Sequence, residues 1–64
     1  MKAKEIKNLA KKIAEAELKL RETTDLAEKG ALEVEIVGLC SRAQSMEDML
    51  AIDDAVQDIL SKKL

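Results

Sequence analysis

GALEVEIVGLC, residues Gly30–Cys40, supports two opposite readings. Leu32, Val34 and Ile36 alternate with Glu33 and Glu35, the two-residue period of a half-buried strand. Yet Leu32, Ile36, Leu39, Ala43, Met46 and Leu50 recur at spacings of 4, 3, 4, 3 and 4, the period of one helix face. More positions obey the helical period than the alternating one. A lone strand would also leave its backbone donors and acceptors without a partner, and no second β-like segment stands elsewhere in the chain. The stretch is therefore expected to be helical, as part of a helix over 25–43. Val34 and Val37 then lie on a different face from Leu32, Ile36 and Leu39, together with Leu26 and Ala27. A helix that is apolar on most of its circumference has to be covered on more than one side.

On the N-terminal side, Ile6, Leu9, Ile13, Ala16 and Leu20 are spaced 3, 4, 3 and 4. These are the a and d positions of a heptad and predict a helix over 3–22. The seam fails at Thr23, just after Lys19 and Arg21, whose charges suit the negative end of a helix. In RETTD, residues 21–25, Thr24 is the candidate cap of the second helix, with Asp25 in its first turn. Lys29-Gly30 is a competing break, since glycine commonly follows a helix end. It leaves too short a connection for the 2–8 residues that usually join helices, so the turn is placed at 22–25.

On the C-terminal side, Ser45-Met46-Glu47-Asp48 has the form of a capping box, with Asp in place of the usual Glu or Gln. Met49, Ile52, Val56 and Ile59 then form a new stripe, widened by Leu60. At 100° per residue it is rotated by about a third of a turn from Ile36 and Ala43. A break is expected near Gln44-Ser45, with a third helix over 46–62. Gly38 either permits a close backbone approach or is tolerated at about 1 kcal/mol relative to alanine. The expected fold is all-α: a single helical domain, 1–64, built as a small bundle of three helices (3–22, 25–43, 46–62). The alternative is a helical hairpin with a kinked second arm, in which 31–62 is one long helix.

Sixty-four residues make a core of limited size. A domain of this length buries only about 60% of the surface its unfolded chain exposes. No Phe, Tyr or Trp is present to contribute the roughly 150–250 Å² that each aromatic buries. Small scaffolds compensate with disulfides, a metal or oligomerisation. One Cys and no His exclude an internal disulfide and a zinc cluster, and neither a metal nor a cofactor is expected. Self-association remains, most simply as a symmetric homodimer. Its candidate residues are Val34 and Val37, on the second face of the central helix, and Leu18, opposite the Ile6–Ile13–Leu20 seam. Met46, Met49 and Leu50 form a candidate surface for an unknown protein partner, because the flexible thioether adapts to varied shapes.

No constellation for catalysis is found. Cys40 has no histidine to activate it and is expected to behave as a small hydrophobe of the apolar face. Glu47, Asp48, Asp53, Asp54 and Asp58 crowd the third segment without an EF-hand loop or a Glu-x-x-His pair. They are read as partners of a helix N-terminus and as solvated surface.

The leading expectation is a non-catalytic protein–protein interaction or regulatory module, a self-associating bundle rather than an enzyme. Charge is uneven: residues 1–21 carry a net +4 and residues 22–64 a net −6, which give the chain's −2. A small nucleic-acid-associated regulator using the basic first helix is therefore the alternative, though stacking aromatics and a recognition-helix signature are lacking. A second alternative is a membrane-surface amphipathic protein, since MKAKEIKNLAKKIAEAE is basic and amphipathic; its apolar face carries no Trp or Phe. No apolar run approaches the roughly 18 residues of a membrane span, and no continuous apolar segment follows the first lysines as in a signal peptide. With a lone cysteine, a cytoplasmic setting is expected. Size and composition resemble the short helical reading frames common in bacteria and phages.

Overall fold

The structure, a computed structural model, describes residues 1–63; the expected domain extends to Leu64, which lies outside them. The chain forms α1 (Ala3–Glu22), α2 (Leu26–Cys40) and α3 (Met46–Lys63). These helices take 20, 15 and 18 residues, and no strand occurs among the described residues. The alternation at 32–36 is thus a helix seen from two sides, with Leu32 buried and Val34 exposed.

Each helix boundary has a local cause. α1 stops at Thr23, whose extended backbone breaks the helix while its N–H still donates to the Lys19 carbonyl at 2.9 Å. The cap of α2 is Asp25 rather than Thr24: its carboxylate accepts from the Ala27 N–H at 3.0 Å. Both side chains have capping oxygens, but a carboxylate also meets the positive end of the helix. Thr23 Oγ1 accepts from the Asp25 N–H at 3.4 Å and so orders the connection. Gly30 lies inside α2 and ends nothing.

α2 ends at Cys40, short of the expected residue 43. Arg42 and Ala43 donate to the Leu39 and Cys40 carbonyls, both at 3.2 Å, the tight three-residue bonds with which helices often close. Ser41 Oγ donates to the Gly38 carbonyl at 2.8 Å. The break before α3 excludes one helix over 31–62. Ser45 caps α3 as expected, its Oγ accepting from the Asp48 N–H at 3.2 Å. Asp48 in turn accepts from the Gln44 N–H at 3.4 Å, one residue earlier than in the usual box. Asp48 also receives the α-ammonium of Met1 at 3.3 Å, which ties the start of α1 to the first turn of α3.

α1 is the middle helix. α2 and α3 both pack against it and meet each other only marginally. The core joins Leu9, Ala10, Ile13 and Ala14 of α1 with Leu39 of α2 and Ile52, Val56 and Leu60 of α3. Two neighbours require two seams on α1, and Ala10 and Ala14, outside the expected heptad seam, are fully buried. Leu18 continues that alanine row one turn on and is half-buried against the same core. It therefore does not stand free for self-association as the sequence suggested, because the face opposite the heptad seam has a neighbour within the chain. The molecule measures 35 × 24 × 15 Å. The middle dimension matches two interhelical spacings of about 8–10 Å plus a backbone cylinder about 4.6 Å across. The helices are thus set closer to a row, α2–α1–α3, than to a closed triangle.

Candidate interaction surface

The charges of α2 are Glu28, Lys29, Glu33 and Glu35. At 100° per residue they all fall on the flanks of the helix, towards its packed side. Leu26, Ala27, Gly30, Ala31, Val34, Val37 and Gly38 share the opposite arc, about 140° wide on the same construction, and every one of them is exposed. The large members are among the most exposed apolar residues of the protein: Leu26 at 82%, Val34 at 72% and Val37 at 67%. A side chain added at Gly30 or Gly38 would meet open space. The close approach considered for Gly38 therefore does not occur within the chain.

A second apolar surface follows from the spacing of the helices. Because α2 and α3 lean on α1 without closing on each other, a groove of about 280 Å³ remains between them. Ile13 and Glu17 form its floor, Cys40 its α2 side, and Met49, Asp53 and Val56 its α3 side, with Met46 and Leu50 also lining it. Through Glu17 it adjoins a more open recess lined by Leu20 and Arg21 of α1 and by Glu33, Ile36 and Val37 of α2. Sharing Glu17, the two follow α1 as a trough whose first part lies between α2 and α3 and whose second part lies between α1 and α2. Its apolar lining is bordered by Glu17, Glu33 and Asp53 against a single base, Arg21.

Met46, Met49 and Leu50 are exposed at 71%, 52% and 60%. The helical period had joined Met46 and Leu50 to the stripe of α2. The break at 41–45 re-aims them, so the stripe is interrupted after Ala43, and the buried stripe of α3 begins at Ile52 rather than Met49. Val37 and Met49, singled out for different reasons, line the same trough. Leu26 was expected on the second face of α2 without being named as a contact residue, and the trough itself was not anticipated. The charge-free arc containing Leu26 was readable in the sequence; the trough depends on how far apart two helices sit.

Other candidates offer little chemistry. Cys40 is free and exposed rather than part of a buried apolar face, because α2 ends there and the chain turns away. No histidine exists to activate it. Asp58 pairs with Lys62 at 3.2 Å on the open surface of α3. Among the described residues no group of His, Cys, Asp or Glu could hold a metal ion, and no helix is long and apolar enough to cross a membrane. On the exposed side of α1, Lys4, Lys7 and Lys11 form a short basic row of two turns, which Glu15 and Glu22 interrupt further along, while Glu5 lies on the same side of the helix as Lys12. No protein-family model matches the chain, and neither a curated protein nor a solved structure is significantly similar to it.

Proposed function

We propose that this protein is a non-catalytic interaction module that binds other proteins through the apolar surface of α2 and the trough between α2 and α3. The observation that carries this reading is the exposed, charge-free arc of α2 beside an apolar trough. Apolar residues scattered singly over a surface need no explanation, whereas a contiguous patch marks a contact site. The helices supply a rigid frame, and no histidine is present to activate the Cys40 thiol. A cytoplasmic setting, which keeps a thiol such as Cys40 reduced, agrees with this role.

Self-association through Val34 and Val37 belongs to the same reading, but it is weak. Covering these two residues in two copies gains on the order of 5–10 kcal/mol. That lies within the roughly 4–15 kcal/mol lost when two bodies become one. Glu28, Glu33 and Glu35 flank the face in both copies against Lys29 alone, so pairing sets mostly like charges together and is helped by salt screening. Sedimentation equilibrium is expected to show reversible association of the parent at high protein concentration, stronger with added salt and abolished in Val34→Glu with Val37→Glu. A parent that stays monomeric throughout would remove self-association from the reading.

The nucleic-acid alternative draws on the +4 of residues 1–21, but the acids that interrupt the short basic row of α1 weaken it. Titration with duplex DNA or RNA is expected to show no steep salt-dependent binding, the signature of phosphate contacts.

A further inference from the structure

We propose that the trough between α2 and α3 seats a basic amphipathic helix of a partner protein. The inference rests on the reading of the protein as an interaction module and specifies the chemistry of what it binds. Three observations point to this occupant. The trough follows α1, with α2 on one side throughout and α3 on the other side of its first part, which is the place of a further helix laid on a layer of three. Its floor extends from Ile13 to Arg21, about 12 Å of helix axis, enough for apolar anchors at i, i+3 or i+4, and i+7. Met46 and Met49 give the lining the unbranched, polarizable side chains that adapt to an incoming apolar face.

Charge then selects the partner. Glu17, Glu33 and Asp53 border the apolar lining, and only Arg21 opposes them. Glu47 and Asp54 lie exposed on α3 beyond its lip. A partner with Lys or Arg flanking its apolar stripe would meet acids on both sides, whereas an acidic partner would be repelled.

A second copy of this chain lacks that combination. Its basic helix, α1, has none of the large exposed apolar residues, which among the described residues all lie on α2 and α3. Its exposed apolar arc, on α2, is flanked by Glu28, Glu33 and Glu35. One surface has the right charge without the apolar stripe, and the other has the stripe with the wrong charge.

The test uses the full chain and two synthetic helical peptides of about 14 residues, or four turns. They share one leucine stripe; the remaining positions are Lys and Arg in the first and Glu in the second. Cys40, exposed at the side of the groove, reports occupancy through its rate of reaction with a neutral maleimide, and anisotropy of labelled peptide gives affinity. The basic peptide is expected to bind saturably and to protect Cys40; the acidic one does neither. Asp53→Lys with Glu33→Lys, both exposed, weakens binding about tenfold or more, as two surface pairs turned repulsive should. Glu5→Lys with Glu15→Lys, on the outer side of α1, leaves it unchanged. Circular dichroism verifies that both variants remain folded. Absence of binding, equal protection by both peptides, or equal loss in both variants would overturn the proposal. If the peptide fails while the parent still self-associates through Val34 and Val37, the partner assignment falls and the interaction module stands. Loss of both removes the module as well.

Discussion

Ser45 and Asp48 hold the start of α3 in concert. The serine oxygen accepts the Asp48 N–H and the aspartate accepts the Gln44 N–H, so one donor of the helix end and the N–H just before the cap are satisfied within five residues. Ser45→Ala is expected to cost about 0.5–2 kcal/mol, measured as a shift of the urea midpoint at unchanged slope. A neutral result would mean that the helix starts elsewhere. This boundary was legible because serine and aspartate three residues apart carry a specific hydrogen-bond pattern. At the start of α2 the reading missed by one residue. Thr24 and Asp25 are adjacent and each can cap, and only the path of the chain decides that Asp25 reaches the Ala27 N–H. The Met1 ammonium on Asp48 was beyond reach for a different reason: nothing local to either residue encodes a contact between groups so distant in sequence.

At the scale of the helices, periodicity identified all three, and the two-faced character of α2 was plain from where its charges do not fall. Less of α1 was visible. Its heptad seam predicted the burial of Leu9, Ile13 and Ala16 but not that of Ala10 and Ala14. Alanine has too little hydrophobic area to announce a buried row, and that row exists only because α1 has a second neighbour. The same neighbour took Leu18 out of the expected self-association face. Ala14 leaves no room for growth, so Ala14→Leu should overpack the core and cost about 1–3 kcal/mol in thermal or urea unfolding. Val34→Glu with Val37→Glu offers the contrast. Both residues are exposed in the free chain, so each change should stay within about 0.5 kcal/mol, as surface substitutions usually do, while self-association is lost. A large loss of monomer stability would place these valines in a core that the present packing does not contain.

For the whole molecule, composition bounds the chemistry and the packing of the helices shapes the surface. The absence of His and aromatic residues, a single Cys and acids that crowd the third segment without a metal-binding pattern point away from catalysis in the sequence itself. Val34 and Val37 could be named as surface because the helical period left them over, whereas Met46, Met49 and Leu50 fell within the apolar stripes and were named for the adaptable methionine side chain. That Val37 and Met49 would line one trough could not be read, since it depends on α2 and α3 each preferring α1 to the other. Small size gives this openness a physical cause. With no aromatic side chains and a core made of Leu, Ile, Val and Ala, little apolar bulk spans the gap between the outer helices, the gap the proposed partner helix would fill. The three methionines supply an internal comparison. Met46 and Met49 line the groove, while Met1 borders a different depression beside Lys12 and Arg42. Methyl NMR of the methionine-labelled protein, titrated with the basic amphipathic peptide, therefore tests directly whether the trough is the working surface. The expected result is saturable shifts of the Met46 and Met49 methyl signals with the Met1 signal unmoved; no shift, or equal shifts at all three, would contradict it.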